Sequence, residues 1–410
     1  MIPEKLFLKT LEKLKFGTLE LVSGGTRRVF GDGSGELAAT VVVERPEFFS
    51  KVLFGGEDGA GEAYMTGDWW SPDMVSVIRM ASRNLASLAG GNRLLNSVSR
   101  IALRARHKSR ANTVAGSRRN IAEHYDLSND FFRLFLDERM VYSSAVYEME
   151  ADSLEDAQVR KLDRICQKLQ LTPDDHLLEI GTGWGAFAEH AVRNYGCRVT
   201  TTTISQEQFK GAAERFARMG DEAGRIDLLL TDYRALSGKF DKIASIEMFE
   251  AVGLDNYDHF FGACERLLKP DGMMSMQAIT MNEGRFPEYH RSSDWIQRRI
   301  FPGSELASVS EILRSLGRVT SMSMTHCEDI GIHYALTLAE WRRRFQAARE
   351  DVRRLGFDER FMRMWDYYLA YCEGGFRERY IGDVQLVLGK MHSSRALFGD
   401  PKPAEAVAAQ

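Results

Sequence analysis

The turn Gly181-Thr182-Gly183-Trp184-Gly185-Ala186 joins an apolar run to a helix-like stretch, and it constrains the fold more than any other feature of the chain. Residues 175–180 read as a strand, with Leu177, Leu178 and Ile180 as its apolar content, and the helical pattern after the turn runs to about Asn194. Glycines at such a strand–turn–helix junction let the backbone approach a ligand closely. The alternation continues. Residues 197–204, 226–230, 242–246 and 273–279 read as further strands, with helical stretches from Ser205 and around residues 257–268. Strands alternating with helices predict an α/β fold with a doubly wound parallel sheet.

Upstream the pattern differs. Phe7, Leu8, Leu11 and Leu14 give helical spacing over residues 3–15. Short β-rich runs follow at 17–22, 28–30 and 37–43, punctuated by Gly24-Gly25, Gly31-Asp32-Gly33 and Gly55-Gly56. Three segments result: a small N-terminal α+β domain at 1–73, a basic helical connector at 74–119, and a third domain at 120–410.

The chain carries 54 Lys+Arg and 58 Asp+Glu, a formal net charge of −4. That total conceals a bias. Residues 74–122 contain ten Lys/Arg and no acid, while 1–73 carry −4 and 123–410 carry −10. The longest charge-free run, Gly272–Asn282, is eleven residues, far below the roughly 20 that a membrane helix needs. Charges at Glu4, Lys5, Lys9, Glu12, Lys13 and Lys15 leave no apolar core for a secretory signal. Five cysteines with no C-x-x-C pair indicate neither a disulfide framework nor a zinc site, and no metal is expected. Cys166, Cys197 and Cys264 read as buried small hydrophobes. The expected location is cytoplasmic.

Read literally, the glycine turn satisfies G-x-G-x-x-A, which by itself allows a dinucleotide site, a methyl-donor site or a tight turn. A dinucleotide site wants an acid about 20 residues on, for the ribose. Residues 199–205 hold none, whereas Glu179 precedes the glycines. Acid-x-Gly-x-Gly-x-Gly resembles the opening of class I S-adenosylmethionine methyltransferases, whose sheet is Rossmann-like. By that resemblance Glu179 positions the loop and Asp232, just after the third strand, suits recognition of the adenine amine.

More motifs surround the loop. They are His124-Tyr125-Asp126-Leu127-Ser128-Asn129, Val141-Tyr142-Ser143-Ser144-Ala145, Leu154-Glu155-Asp156-Ala157-Gln158, Thr203-Ile204-Ser205-Gln206-Glu207-Gln208, Met248-Phe249-Glu250-Ala251-Val252-Gly253 and Ile300-Phe301-Pro302-Gly303. Together, over residues 115–395, they resemble the cyclopropane-fatty-acyl-phospholipid synthase family, which includes the mycolic-acid methyltransferases. The resemblance implies methyl transfer from S-adenosylmethionine to a cis double bond in an acyl chain of a membrane phospholipid. It also implies a bound bicarbonate that removes a proton from the resulting carbocation. Tyr142, Ser143, Gly181, Gly183, Gly185, Thr203 and Gln208 would contact the cofactor. Glu250, Tyr334 and the backbone of Ile279 would hold bicarbonate.

Three positions depart from the family's pattern: Ser144 stands for its usual Cys, Ala251 for a His, and Gln277 for a His. Gln277 and Ser144 still offer hydrogen-bond donors to an anion. These departures resemble a divergent branch rather than decay. Loss of a proton from the new methyl closes a cyclopropane; the alternative is a methylene or methyl-branched chain. Without the resemblance, Glu250 reads rather as a helix-start or surface carboxylate and Tyr334 as a core tyrosine with a satisfied hydroxyl. His124 reads either as a structural hydrogen-bonding residue or as a substrate contact, and His190 as structural.

The acid-free segment suggests where such a substrate is met. Arg93, Arg100, Arg104, Arg106, Lys108, Arg110, Arg118 and Arg119 interleave with Leu94, Val98, Ile101 and Leu103. A basic amphipathic helix of this kind lies on anionic lipid. The expected partner is therefore an anionic membrane carrying unsaturated phospholipid acyl chains, met by a protein peripheral to its inner face. A connector packed on the third domain is the plainer reading. No aromatic interleaves with these arginines, which argues against nucleic acid. Homo-oligomerisation stays open. Competing functions are a non-catalytic lipid-binding relative and a methyltransferase acting on a soluble small molecule.

Overall fold

A computed structural model of the chain describes residues 2–31, 33, 37–88, 128–393 and 398. The stretch 93–119 and His124 lie outside the described residues. The chain divides into two compact units. The first comprises Met1–Arg110, Gly284–Pro302 and Tyr334–Ile381; the second comprises Ala111–Glu283, Gly303–His333 and Gly382–Gln410. This grouping differs from the sequential division at residues 73 and 119, because later segments return to the N-terminal module.

In the first unit four strands run in the order β2-β1-β3-β4. Strand β1 (Thr18–Ser23) pairs antiparallel with β2 (Thr26–Gly31) and parallel with β3 (Ala38–Val43), and β3 pairs antiparallel with β4 (Trp69–Trp70). Ser23 faces Thr26 across Gly24-Gly25, both with positive φ, 55° and 75°. Two left-handed residues are what a two-residue hairpin requires. The helix Glu359–Arg377 buries Met362, Trp365, Tyr367, Tyr368 and Phe376. It lies so close to the helix Met74–Leu88 that a Cβ on Gly374 would stand 2.7 Å from the Ile78 side chain. Tyr64, on the helix Glu47–Met65, donates to Asp366 at 2.5 Å, and Arg342 and Gln346 donate to the same carboxylate at 2.8 and 2.7 Å.

The second unit is built on seven strands in the order β10-β11-β9-β8-β5-β6-β7. They are β5 (His176–Ile180), β6 (Arg198–Thr203), β7 (Ile226–Leu230), β8 (Phe240–Ile246), β9 (Leu268–Met281), β10 (Met322–Asp329) and β11 (Ile381–Lys390, whose first residue groups with the first unit). The pairs β5–β6, β6–β7, β5–β8 and β8–β9 are parallel, as expected. The pair β10–β11 is antiparallel, so the sheet is mixed.

Successive strand residues point to opposite faces, and the core follows. Leu177, Val199, Ala244 and Met273 join Leu162, Ile165, Phe187 and Val192 in one buried cluster. Leu178, Ile180, Ile243 and Met274 join Phe249, Phe260, Ile312 and Leu316 in the other. Cys166, Cys197 and Cys264 are buried, as expected for small hydrophobes. Among the described residues no helix is long and apolar enough to cross a membrane, and no His/Cys/Asp/Glu group could hold a metal ion.

Candidate active site

The glycine turn leaves the C-terminal end of β5, where ligands bind in doubly wound sheets. Gly181, Gly183 and Gly185 have φ of 105°, 52° and 86°, a region that costs other residues roughly 1–2 kcal/mol. A Cβ on Gly185 would meet the Phe216 ring at 2.7 Å, and one on Gly181 would meet Met248 at 3.2 Å. Around Gly183 no atom stands within 4 Å of such a Cβ. So Gly185 answers to packing, and Gly183 keeps open space above the loop. Glycine N–H groups at 181 and 185 bond to Thr202 and Thr182 carbonyls at 3.0 and 2.9 Å and fix the curve.

Beneath the loop, Glu179 is 2 % exposed. Burial pushes its carboxyl up to about 8, against the hydrogen bond from Thr201 and the charge of Lys161. Thr201 Oγ1 donates to Glu179 Oε2 at 2.6 Å. At the end of β6, Thr203 Oγ1 donates to Gln208 Oε1 at 2.9 Å, and Ser205 caps the next helix by accepting from the Gln208 N–H. Asp232, after β7, holds the Arg234 guanidinium at 2.8 and 2.6 Å. The structure thus brings Glu179, the three glycines, Thr203, Gln208 and Asp232 to the same ends of β5, β6 and β7. The left-handed glycines and the open space at Gly183 fit close approach of a nucleoside-type cofactor to the loop backbone, with Glu179 held beneath the loop and Asp232 paired to Arg234 beside it.

Tyr142, Ser143 and Ser144 run along a second edge. The Tyr142 ring packs on Phe132 at 5.3 Å. Lys161 Nζ donates to Ser143 Oγ at 2.6 Å, and Gln158 Nε2 donates to the Ser143 carbonyl at 2.8 Å. Lys161 has no exposed surface. Burial lowers its pKa to about 8, against the pull of Glu247, Asp137, Asp383 and Glu179. Sequence reasoning missed Lys161, Gln158, Glu247 and Asp383. Gln158 stands inside a quoted motif and Glu247 directly before one, but Asp383 has no local signal.

At the ends of β8 and β9 the carboxyls gather. Glu250 Oε1 accepts the Ile279 N–H at 2.5 Å, while its Oε2 is buried without a partner. Burial, then the neighbouring Glu247, push Glu250 up to about 8. Glu247 Oε1 accepts from the Ser144 N–H at 2.8 Å and from Gln277 Nε2 at 2.7 Å. Gln277 Nε2 also donates to Asp383 Oδ2 at 3.2 Å, and Gln277 Oε1 accepts from Gln385 at 2.9 Å. The Ser144 hydroxyl donates to the Ala145 carbonyl at 3.0 Å.

The donor set expected for bicarbonate is therefore engaged within the protein. Ile279 N–H meets Glu250, the Gln277 amide meets two carboxyls and a neighbouring amide, and Ser144 meets backbone and Glu247. Glu247, Glu250 and Asp383 also crowd the place with carboxyl groups, which disfavours an added anion. As placed, these residues do not fit an added anion. Tyr334, the remaining expected ligand, belongs to the first unit, where it is buried with its ring stacked on Phe376 at 4.5 Å and edge-on to Trp341. His190 meets Asp163 at 3.3 Å, consistent with a structural role.

Residues 113–386 match the family model for mycolic acid cyclopropane synthetase. The chain is 37 % identical over 375 residues to the tuberculostearic acid methyltransferase of Mycobacterium tuberculosis, covering 88 % of this chain and 87 % of that protein. It is 39 % identical over 365 residues to the cyclopropane-fatty-acyl-phospholipid synthase of Escherichia coli, covering 86 % and 87 %. Among solved structures, a mycolic acid cyclopropane synthase complexed with SAH and CTAB aligns with a TM-score of 0.61 and 32 % identity, over 67 % of this chain and 98 % of that one. The chain belongs to the mycolic acid cyclopropane synthetase family and is a class I S-adenosylmethionine-dependent methyltransferase.

Proposed function

We propose that this enzyme methylates the cis double bond of unsaturated acyl chains in membrane phospholipids. The observation that carries the reading is the glycine cradle over buried Glu179, in the same unit as a carboxyl cluster at the ends of β8 and β9. Similarity over most of the chain to a fatty-acyl-phospholipid synthase supports the substrate class. S-adenosylmethionine, when bound, supplies an electrophilic methyl on a sulfonium.

The protein's part is positioning and charge. By the resemblance, Tyr142, Ser143, Gly181, Gly183, Thr203 and Gln208 would hold the cofactor, with Glu179 positioning the loop and Asp232 suited to its adenine amine. An alkene is a weak nucleophile, so the acyl chain must be held in line and away from water. Carboxylates near the double bond lower the energy of the cation that forms. Bicarbonate, the base implied by the family resemblance, carries no step here, because its expected donors are engaged.

Two products remain in play. Ring closure gives a cyclopropane; the similarity to a tuberculostearic acid methyltransferase, a relative not named as a cyclopropane synthase, keeps methylation without ring closure as the alternative. The acid-free stretch 93–119 supports docking on anionic lipid by its charge pattern. Labelled S-adenosylmethionine with vesicles of monounsaturated or fully saturated phospholipid tests the reading. Label should enter the acyl chains of the first set alone. Equal labelling of both sets, or of neither, contradicts it.

A further inference from the structure

Resting on that reading, we propose that Glu247, backed by Asp383 and clamped by Gln277, is this enzyme's built-in proton acceptor, taking the proton that the methylated acyl chain releases. Three independent observations point there. Glu247 holds a positive φ of 47°, uncommon for a residue with a side chain. Such outliers persist where the surroundings enforce them, and they cluster at functional sites. Here the enforcement is visible: the Glu247 N–H donates to the Gln277 carbonyl at 2.9 Å, and the Gln277 amide returns to the Glu247 carboxyl at 2.7 Å.

The second observation is the number of donors. Asp383 has no exposed surface, shares the Gln277 amide with Glu247, and keeps Oδ1 buried without a partner. Glu250 Oε2 is likewise buried and unpartnered. Carboxyls crowded together in this way cannot all ionise, so neighbours share protons. Glu247 and Asp383 then form a pair that holds one proton and can accept a second. Burial, Glu247 and Glu250 hold the Asp383 carboxyl well above the usual range even against the nearby buried Lys161, in keeping with a shared proton.

The third is position. Glu247 is half-buried, whereas Asp383 lies wholly inside. Met248, the next residue, lies against Gly181 of the cofactor loop, and Ser144 N–H ties Glu247 to the Tyr142–Ser144 edge. Glu247 is thus the member that can meet substrate, and Asp383 is a positioning residue behind it.

In the step, a C–H bond of the methylated chain breaks and an O–H bond forms on Glu247. The C–H electron pair passes into the new C–C bond of the ring, or into a C=C bond when no ring closes. The pair enters holding one proton, leaves holding two, and returns one to water before the next turnover.

Turnover of the full chain with labelled S-adenosylmethionine and unsaturated vesicles, in CO2-free buffer with and without added bicarbonate, tests this. Wild-type kcat should stay constant within about twofold. Glu247→Gly suits the left-handed backbone and removes the carboxyl. It should lose about 100-fold or more in kcat without bicarbonate, keep its S-adenosylmethionine affinity, and regain activity when bicarbonate or formate is added. Glu247→Gln, which keeps the side-chain length, should lose as much and not be rescued. Asp383→Asn should lower kcat about 10-fold with KM unchanged. Wild-type activity that is lost when bicarbonate is withheld, or a Glu247→Gln enzyme of full activity, overturns the proposal. Absence of acyl-chain label even with bicarbonate counts instead against the parent reading.

Discussion

Glu247 and Gln277 are joined twice across the ends of β8 and β9, backbone to backbone at 2.9 Å and side chain to side chain at 2.7 Å. The double tie holds a strained backbone and a carboxyl in one geometry. Its loss has a readable cost. Gln277→Leu removes the amide that serves Glu247, Asp383 and Gln385, leaving buried polar atoms unsatisfied. The variant should lose about 3 kcal/mol of stability, measured by denaturant unfolding, together with most of its kcat.

The glycine loop separates packing from ligand space. Gly185→Ala places a methyl 2.7 Å from the Phe216 ring and should lower Tm clearly. Gly183→Ala meets no neighbouring atom. Its cost is the left-handed backbone alone, about 1 kcal/mol, so Tm should fall slightly while S-adenosylmethionine affinity falls about tenfold or more. Calorimetric binding beside thermal unfolding distinguishes the two.

In the first unit, Asp366 accepts from Tyr64, Arg342 and Gln346. Burial works to raise its pKa, but Arg342 and the hydrogen bonds outweigh it, and the carboxyl lies below its ordinary 3.8. A carboxyl with a depressed folded value stabilises above its unfolded pKa and loses that contribution as pH falls through the folded one. Tm should therefore be insensitive to this group above about pH 5 and decline below pH 4. Asp366→Asn should cost about 3–5 kcal/mol at neutral pH and flatten the acid-side decline.

The βαβ alternation was legible because it is local. Strand limits expected at 226–230 match β7, and those for β5, β6 and β8 fall within two residues. The cofactor loop was equally clear from Glu179 and its glycines. Nothing comparable announced β10, an edge strand whose residues are mostly exposed. The return of Glu359–Arg377 to the N-terminal module depends on contacts such as Tyr64 to Asp366, 302 positions apart, and local periodicity carries no such information. Asp383 was missed for the same reason: it meets Gln277 from 106 positions away. The engagement of Ser144 and Gln277 was invisible too, because residue type shows what a side chain can donate and only the fold shows to what.

The charge pattern makes a prediction about docking. If 93–119 meets anionic lipid, vesicle binding should weaken as salt is raised, since each Lys/Arg contributes about 1 kcal/mol within a Debye length. Replacing Arg100, Arg104 and Arg106 by Gln should weaken sedimentation with anionic vesicles about tenfold or more. Activity on detergent-dispersed substrate should change little.

The central claim is that the methyl goes to an alkene carbon of a phospholipid acyl chain. Deuterated-methyl S-adenosylmethionine, monounsaturated phospholipid vesicles and mass spectrometry of the separated acyl chains and head groups test it most directly. The account predicts label in the acyl chain, at the former double bond, with one methyl deuterium lost when a ring closes. Label confined to the head group, or its absence from the lipid, would contradict it.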